Sequence, residues 1–162
     1  MNSNNFNTDI EIPKDSSGFI DYNINDGPPT IVDKLSNVNS VSTAMDGFRM
    51  CKDLISKLSD PKENLTVFVP KNSAFSKWHL SPTEKNLRPV LSRHIFTSIL
   101  DKNKLINGTV IHPFFQKKFS LTIVLHQDGQ VFLHDRVNNT LHNITEGGNG
   151  SNGIYYFVDS LF

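Results

Sequence analysis

Apolar positions set the outline of the chain. From about residue 30 they recur at helical spacing: Ile31, Leu35 and Val38 follow Thr30, and Asp33 three positions after that threonine completes a capping signature. Val41, Met45, Phe48, Cys51, Leu54, Ile55 and Leu58 keep intervals of three and four and stop before Asp60-Pro61, which predicts a second helix with one core face. The period then shortens. Leu65-Thr-Val-Phe-Val69 is a β-branched and aromatic run closed by Pro70, the pattern of a buried strand. Asn72 or Ser73 is placed to cap a short helix carrying Ala74, Phe75 and Trp78, and Ser81-Pro82-Thr83-Glu84 repeats the start signal with serine as cap. Arg88-Pro89 introduces a further helix in which Val90, Leu91, His94 and Ile95 share the inward face, with Arg88 and Arg93 off it.

From Thr109 the period is two. Residues 119–125 and 131–133 alternate around Asp128-Gly129, a hairpin signal whose tightest closure sets His126 opposite Val131 and His134 opposite Ile123. Short strands are expected near 141–144 and 154–158. Helices, a strand, helices and then several antiparallel strands argue an α+β fold rather than a doubly wound parallel sheet. Before this lies a polar, Asn- and Asp-rich stretch whose isolated apolar residues keep no period, so 1–29 is expected to be a loosely docked arm and 30–162 the folded domain.

Composition narrows the function classes. At 162 residues the chain has the size of one domain with a sizeable core, and 16 Lys+Arg against 16 Asp+Glu leave no basic footprint for nucleic acid or anionic lipid. A single cysteine, Cys51, precludes an internal disulfide framework and a Cys-based zinc site. No apolar run is long enough to cross a membrane, and Met1-Asn-Ser-Asn-Asn-Phe-Asn lacks the basic and apolar regions of a leader. Asn-x-Ser/Thr occurs at Asn64, Asn107, Asn138, Asn143 and Asn149, where roughly three such sites are expected by chance from this composition. Asn107, Asn138 and Asn149 fall in turn-forming contexts that accommodate a glycan.

The chemical motifs are weak. Gly148-Asn149-Gly150-Ser151-Asn152-Gly153 spells a dinucleotide fingerprint, but a strand rather than a helix follows it, so it reads as a flexible loop. His112, His126, His134 and His142 lie in the strand-rich half without converging cross-strand, and are expected to be exposed strand histidines rather than metal ligands or part of a hydrolase. Cys51 sits on an apolar helix face, where a thiol is a small hydrophobe. No nucleophile elbow, zinc-helix pair or phosphate loop occurs, so no catalytic residue, cofactor or metal is assigned.

Two segments resemble fasciclin-like domains. Leu65-Thr-Val-Phe-Val-Pro-Lys-Asn-Ser-Ala-Phe75 is similar to that family's first signature box, and Asn152-Gly-Ile-Tyr-Tyr-Phe-Val-Asp-Ser-Leu-Phe162 to its second. Between them Leu91-Ser-Arg-His-Ile-Phe96 aligns with the central helix motif, in which a tyrosine precedes the histidine; here the histidine is His94 and the preceding residue is Arg93. The resemblance, spanning about 30–162, implies an antiparallel β-wedge packed with several short helices. It also implies a non-enzymatic, glycosylated interaction or cell-adhesion module of the secretory pathway, extracellular, at the cell surface or in a vacuole lumen. Its partner would be a protein or matrix component, a second copy of the chain included, with no nucleic acid and no membrane insertion. The Arg93 departure removes the basis for adhesion attributed to a tyrosine-histidine pair. Candidate contact residues are Arg93, His94, Phe114 and Phe115, the phenylalanines as an aromatic anchor rimmed by Lys117 and Lys118, with burial of either as the competing reading, as it is for His94. The alternative function is a lumenal carrier for a small apolar ligand or lipid, held between helices and wedge.

Overall fold

The computed structural model describes residues 27–162, so most of the expected arm lies outside the described residues. Among the described residues four short helices precede or interrupt one seven-stranded sheet: α1 (Ile31–Leu35), α2 (Ser42–Met50), α3 (Lys52–Ser59), β1 (Leu65–Pro70), α4 (Glu84–Leu91), β2 (Ile95–Phe96), β3 (Val110–Ile111), β4 (Leu121–Leu125), β5 (Val131–Asp135), β6 (Thr140–Gly150) and β7 (Gly153–Val158). The sheet order is β2-β1-β7-β6-β5-β4-β3, and the fold class is α+β as expected. Every pairing is antiparallel except β1 with β7, which run side by side from Leu65↔Gly153 to Pro70↔Val158.

β1 is buried along its whole length because both faces are covered. Leu65, Val67 and Val69 face the helices, where Ile31, Leu35, Met45, Phe48, Leu54, Leu58, Leu87 and Leu91 form one apolar layer. Phe68 faces the other way into the wedge, edge-on to Phe96 at 5.3 Å, stacked on Tyr156 at 5.5 Å and tilted to Phe162 at 5.9 Å. The Thr66 hydroxyl, fully buried beside it, donates to the Ser98 carbonyl at 2.5 Å and accepts the Leu100 N–H at 2.8 Å.

Local signals were partly redirected by tertiary contacts. Thr30 and Asp33 do form a capping box on α1. The expected long helix after Asn39-Ser40 is instead α2 and α3, divided at Cys51, whose backbone is extended at φ −105° and ψ 98°. Thr83, not Ser81, caps α4, accepting from the Asn86 N–H, and the helix runs through Pro89 rather than starting at it. Asn72 caps a helix, but not the one that follows it: its Oδ1 accepts the Thr43 N–H at 3.0 Å and its Nδ2 donates to the Asn39 carbonyl at 2.9 Å, so it closes the start of α2.

The β4–β5 register differs by one from the expected closure. Gly129 at φ +89° donates to the His126 carbonyl, and His126 donates to the Gln130 carbonyl, which makes a three-residue loop with glycine in the left-handed position. Leu125 therefore pairs with Val131 and Ile123 with Leu133, while His134 pairs with Thr122. The glycine-rich segment is likewise no flexible loop. Gly148, Asn149 and Gly150 belong to β6 and Gly153 opens β7, because backbone from other elements lies against them. A Cβ on Gly150 would overlap the Thr30–Ile31 peptide, and one on Gly153, at φ +151°, would overlap the Leu65 carbonyl.

That turn is also the anchor of α1. Ser151 donates from its backbone to the Pro29 carbonyl and from its hydroxyl to the Pro28 carbonyl, so 28–29 are tied down. Asn152, fully buried, accepts the Ile31 N–H at 3.0 Å and donates to the carbonyls of Leu58 at 2.8 Å and Asp60 at 3.0 Å, while Leu65 N–H donates to its backbone carbonyl.

Candidate interaction face

The chain leaves α4 through a 3₁₀ turn (Ser92–His94) and returns, after β3, through the segment 112–119 that lies against that turn. Gln116 fastens the two. Its Nε2 donates to the Ser92 hydroxyl at 2.6 Å and to the Pro89 carbonyl, and its Oε1 accepts Arg93 Nε at 3.2 Å. The Phe114 N–H donates to the Ile95 carbonyl at 2.9 Å, which fixes where the following aromatics emerge.

Phe114 and Phe115 stand edge to face, with ring centroids 5.0 Å apart, and both are half-buried. They divide the labour. Phe115 packs against the helical core. Phe114 carries two cations on its ring, Lys57 Nζ at 3.7 Å and Lys117 Nζ at 5.0 Å, each such contact contributing about 0.5–1 kcal/mol at an exposed site. Arg88 lies 5.6 Å from the Phe115 ring and Arg93 4.7 Å from that of Phe119. Two of these cations are locally neutralised: Lys57 pairs with Glu63 at 2.8 Å, and Arg88 makes a fork with Asp53 whose hydrogen bond holds the Asp53 carboxyl below the usual carboxylate range. The face is thus aromatic at its centre and cationic at its edge, with two of its four cations compensated by carboxylates. Lys118 is exposed further along the same segment.

Arg93, half-buried, bridges this face to the wedge by donating from Nη1 to the Phe162 carbonyl at 3.3 Å. His94 is fully buried and offers no exposed atom to a partner. Its Nδ1 donates to the Phe68 carbonyl at 2.8 Å and its Nε2 accepts the Phe162 N–H at 3.3 Å, which fixes a neutral ring protonated on Nδ1. Burial is the main cause pushing its pKa down to about 3.

The remaining histidines scatter. His112 and His126 are exposed and His134 is half-buried, but His142 is buried, contrary to the expectation, because β6 turns it with Ile144 into the wedge. Its Nδ1 meets the Ser160 hydroxyl at 2.6 Å, and burial lowers its pKa. Among the described residues no three His, Cys, Asp or Glu side chains converge on a metal position. Cys51 is buried, and burial raises its thiol above the ordinary value.

The sequon asparagines are dispersed over the surface. Asn64, Asn107, Asn138 and Asn149 are exposed and Asn143 is half-buried; Asn149 lies in β6, not in a loop. No helix among the described residues is long and apolar enough to cross a membrane.

Lys57, Arg88 and Gln116 build the face yet carry no signal in the sequence, since each acquires its role from a residue at least six positions away. A groove of about 450 Å³ opens instead at the mouth of the wedge, where Leu105, Leu125, Val131, Ile144 and Tyr156 form its apolar lining and Lys102 and Glu146 meet at 3.0 Å.

A family model of the fasciclin domain matches residues 39–162. Among solved structures, the FAS1 domain pair from the insect cell adhesion molecule Fasciclin I matches with a TM-score of 0.63 at 20% sequence identity, over 82% of this chain and 50% of that one. The likeness is one of fold, and this chain spans half the length of that one. A sequence search of curated proteins finds no match.

Proposed function

This chain belongs to the fasciclin domain family, and from that premise we propose that it is a non-enzymatic interaction module of the secretory pathway that adheres to a protein or matrix partner through the face centred on Phe114. The observation that carries the reading is the Phe114–Phe115 pair: one ring is rooted in the core while the other is held half-exposed between ammonium groups. Contact surfaces draw most of their free energy from such anchored aromatics, with Arg enriched around them. Zero formal charge removes net repulsion between copies, so a second copy of the chain belongs among the partners tested. Phe162, Arg93 and Gln116 act as the rigid backing that keeps the anchor in place.

The test compares Phe114→Ser with Phe115→Ser on beads coated with the secreted domain, scoring self-aggregation and capture by matrix-coated surfaces beside thermal unfolding. The expected result is at least tenfold weaker adhesion for Phe114→Ser with Tm lowered by only a few degrees, and a larger loss of Tm with adhesion per folded molecule retained for Phe115→Ser. Loss of folding in Phe114→Ser, or undiminished adhesion, overturns the face.

The wedge groove favours a second reading, a carrier of a small apolar ligand. Its volume suits such a molecule, although it lies at the mouth of the wedge rather than between wedge and helices. Native mass spectrometry of the secreted domain separates the readings: retained small-molecule mass supports the carrier, and its absence with monomer–dimer exchange supports adhesion.

A further inference from the structure

The outward face of the sheet carries an arrangement that neither the core nor the interaction face uses. Along β6, His142 and Ile144 point into the wedge, so Leu141, Asn143 and Thr145 share the opposite face. Asn143 sits directly across the ladder from Phe132 of β5, and Phe132 directly across from Val124 of β4. The Phe132 ring is half-buried, tilted against His126 at 4.4 Å. Asn143-Ile144-Thr145 is a sequon whose asparagine and threonine both lie on this face.

Directly opposed residues in an antiparallel pair hold their Cβ atoms about 4.5–5.5 Å apart, so a sugar on Asn143 Nδ2 is within reach of the Phe132 ring. The C–H-bearing face of a pyranose is apolar and weakly electropositive, complementary to the negative face of an aromatic ring. Among the described strand pairs, Asn143 is the sequon asparagine that stands directly opposite an aromatic residue. Asn149 faces Ile154, Asn138 is turned onto Asp135 at 2.8 Å, Asn107 accepts the Leu125 N–H at 2.9 Å, and Asn64 precedes β1.

We propose that Asn143 carries an N-linked glycan whose innermost N-acetylglucosamine packs on Phe132, making the modification a structural part of the outer sheet face. The inference rests on the secretory reading above. In the transfer, Nδ2 of Asn143 forms the bond to sugar C1 of a lipid-linked pyrophosphate donor. The C1–O bond to the pyrophosphate breaks, the pyrophosphate leaves with the electron pair, and the amide gives up one proton. The glycan then covers the Phe132 surface and leaves the Phe114 face open.

The test uses the domain secreted by a eukaryotic host. Site-resolved peptide mass spectrometry measures occupancy at the five sequons. A double-mutant cycle of Asn143→Gln and Phe132→Thr, with Thr145→Ala as an independent removal of the sequon, measures Tm. The expected result is a filled Asn143 and a Tm lowered by about 2–4 °C on losing the glycan, a shift that disappears in the Phe132→Thr background and in unglycosylated protein made in bacteria. No glycan at any sequon overturns the secretory reading and this proposal with it. Glycan elsewhere with Asn143 bare overturns this proposal alone, as do Tm shifts that simply add in the cycle.

Discussion

The imidazole of His94 lies against the ring of Phe162, with centroids 4.1 Å apart and planes 8° from parallel, while the Phe162 N–H donates to Nε2 of the same imidazole. Nδ1 is occupied by the Phe68 carbonyl. A second proton on the ring would point at an N–H in a dry interior, so the fold holds this histidine neutral.

Stability is therefore expected to fall with acid from near neutrality. The folded pKa of His94, about 3, lies below its ordinary 6.5, so between those values the unfolded chain binds the extra proton. The contribution is fully present above 6.5 and is lost as pH falls, at up to about 1.4 kcal/mol per pH unit. His142, lowered mainly by burial, acts in the same direction. Urea unfolding at pH 7.5 and 4.5 checks this, with a shallower slope expected in a folded His94→Gln; equal midpoints at the two pH values would contradict the buried neutral ring.

Asn152→Ala removes one acceptor and two donated bonds in a buried site that joins α1, α3 and the β6–β7 turn. A loss of about 2–4 kcal/mol is expected. Asn152→Asp retains the acceptor for Ile31 but sets a charge against two carbonyls, so it is expected to be no milder. Denaturant midpoints of the three proteins decide it.

Two glycines with positive φ separate conformational strain from steric overlap. Gly129→Ala meets open space and is expected to cost only the left-handed backbone, about 1–2 kcal/mol. Gly153→Ala meets the Leu65 carbonyl as well, and is expected to leave little folded protein. Circular dichroism melts of both measure the difference.

Cys51 is fully buried, with its thiol raised chiefly by burial. Native protein at pH 7.5 is expected to resist a thiol reagent for as long as it stays folded, labelling only as fast as the core opens. Rapid stoichiometric labelling without denaturant would be inconsistent with that placement.

Much of the fold is legible because local and tertiary preferences agree. Val67 and Val69, Pro70, the Thr30–Asp33 capping pair and the inward His94 each behave as their residue types dictate. Departures arise where a distant group decides. Cys51 breaks a helix that its apolar periodicity continues, its extended backbone separating α2 from α3 while Phe48, Cys51 and Leu54 all stay in the core. Gly129 takes a left-handed position that adds a residue to the hairpin, which slides His126 and His134 by one. Asn72 is a helix cap by chemistry, but its helix is 29 positions earlier for Thr43. The interaction face is legible in its aromatics and in Arg93 and Lys117, but not in Lys57, Arg88 and Gln116, which join it through tertiary contacts that no spacing encodes.

The side-by-side pairing of β1 with β7 carries a consequence for how the chain is made. β1 gains its central neighbour only after Val158 has been synthesised, so the sheet closes late and across a long loop. The Thr66 hydroxyl gains its partners sooner, once Ser98 and Leu100 have been made, and in the finished domain it is committed to both. If the chain follows the proposed secretory route, the Asn64 sequon is readable only before Thr66 is buried: topology would work there as a clock, and a glycan at Asn64 would record that it was added before folding ended.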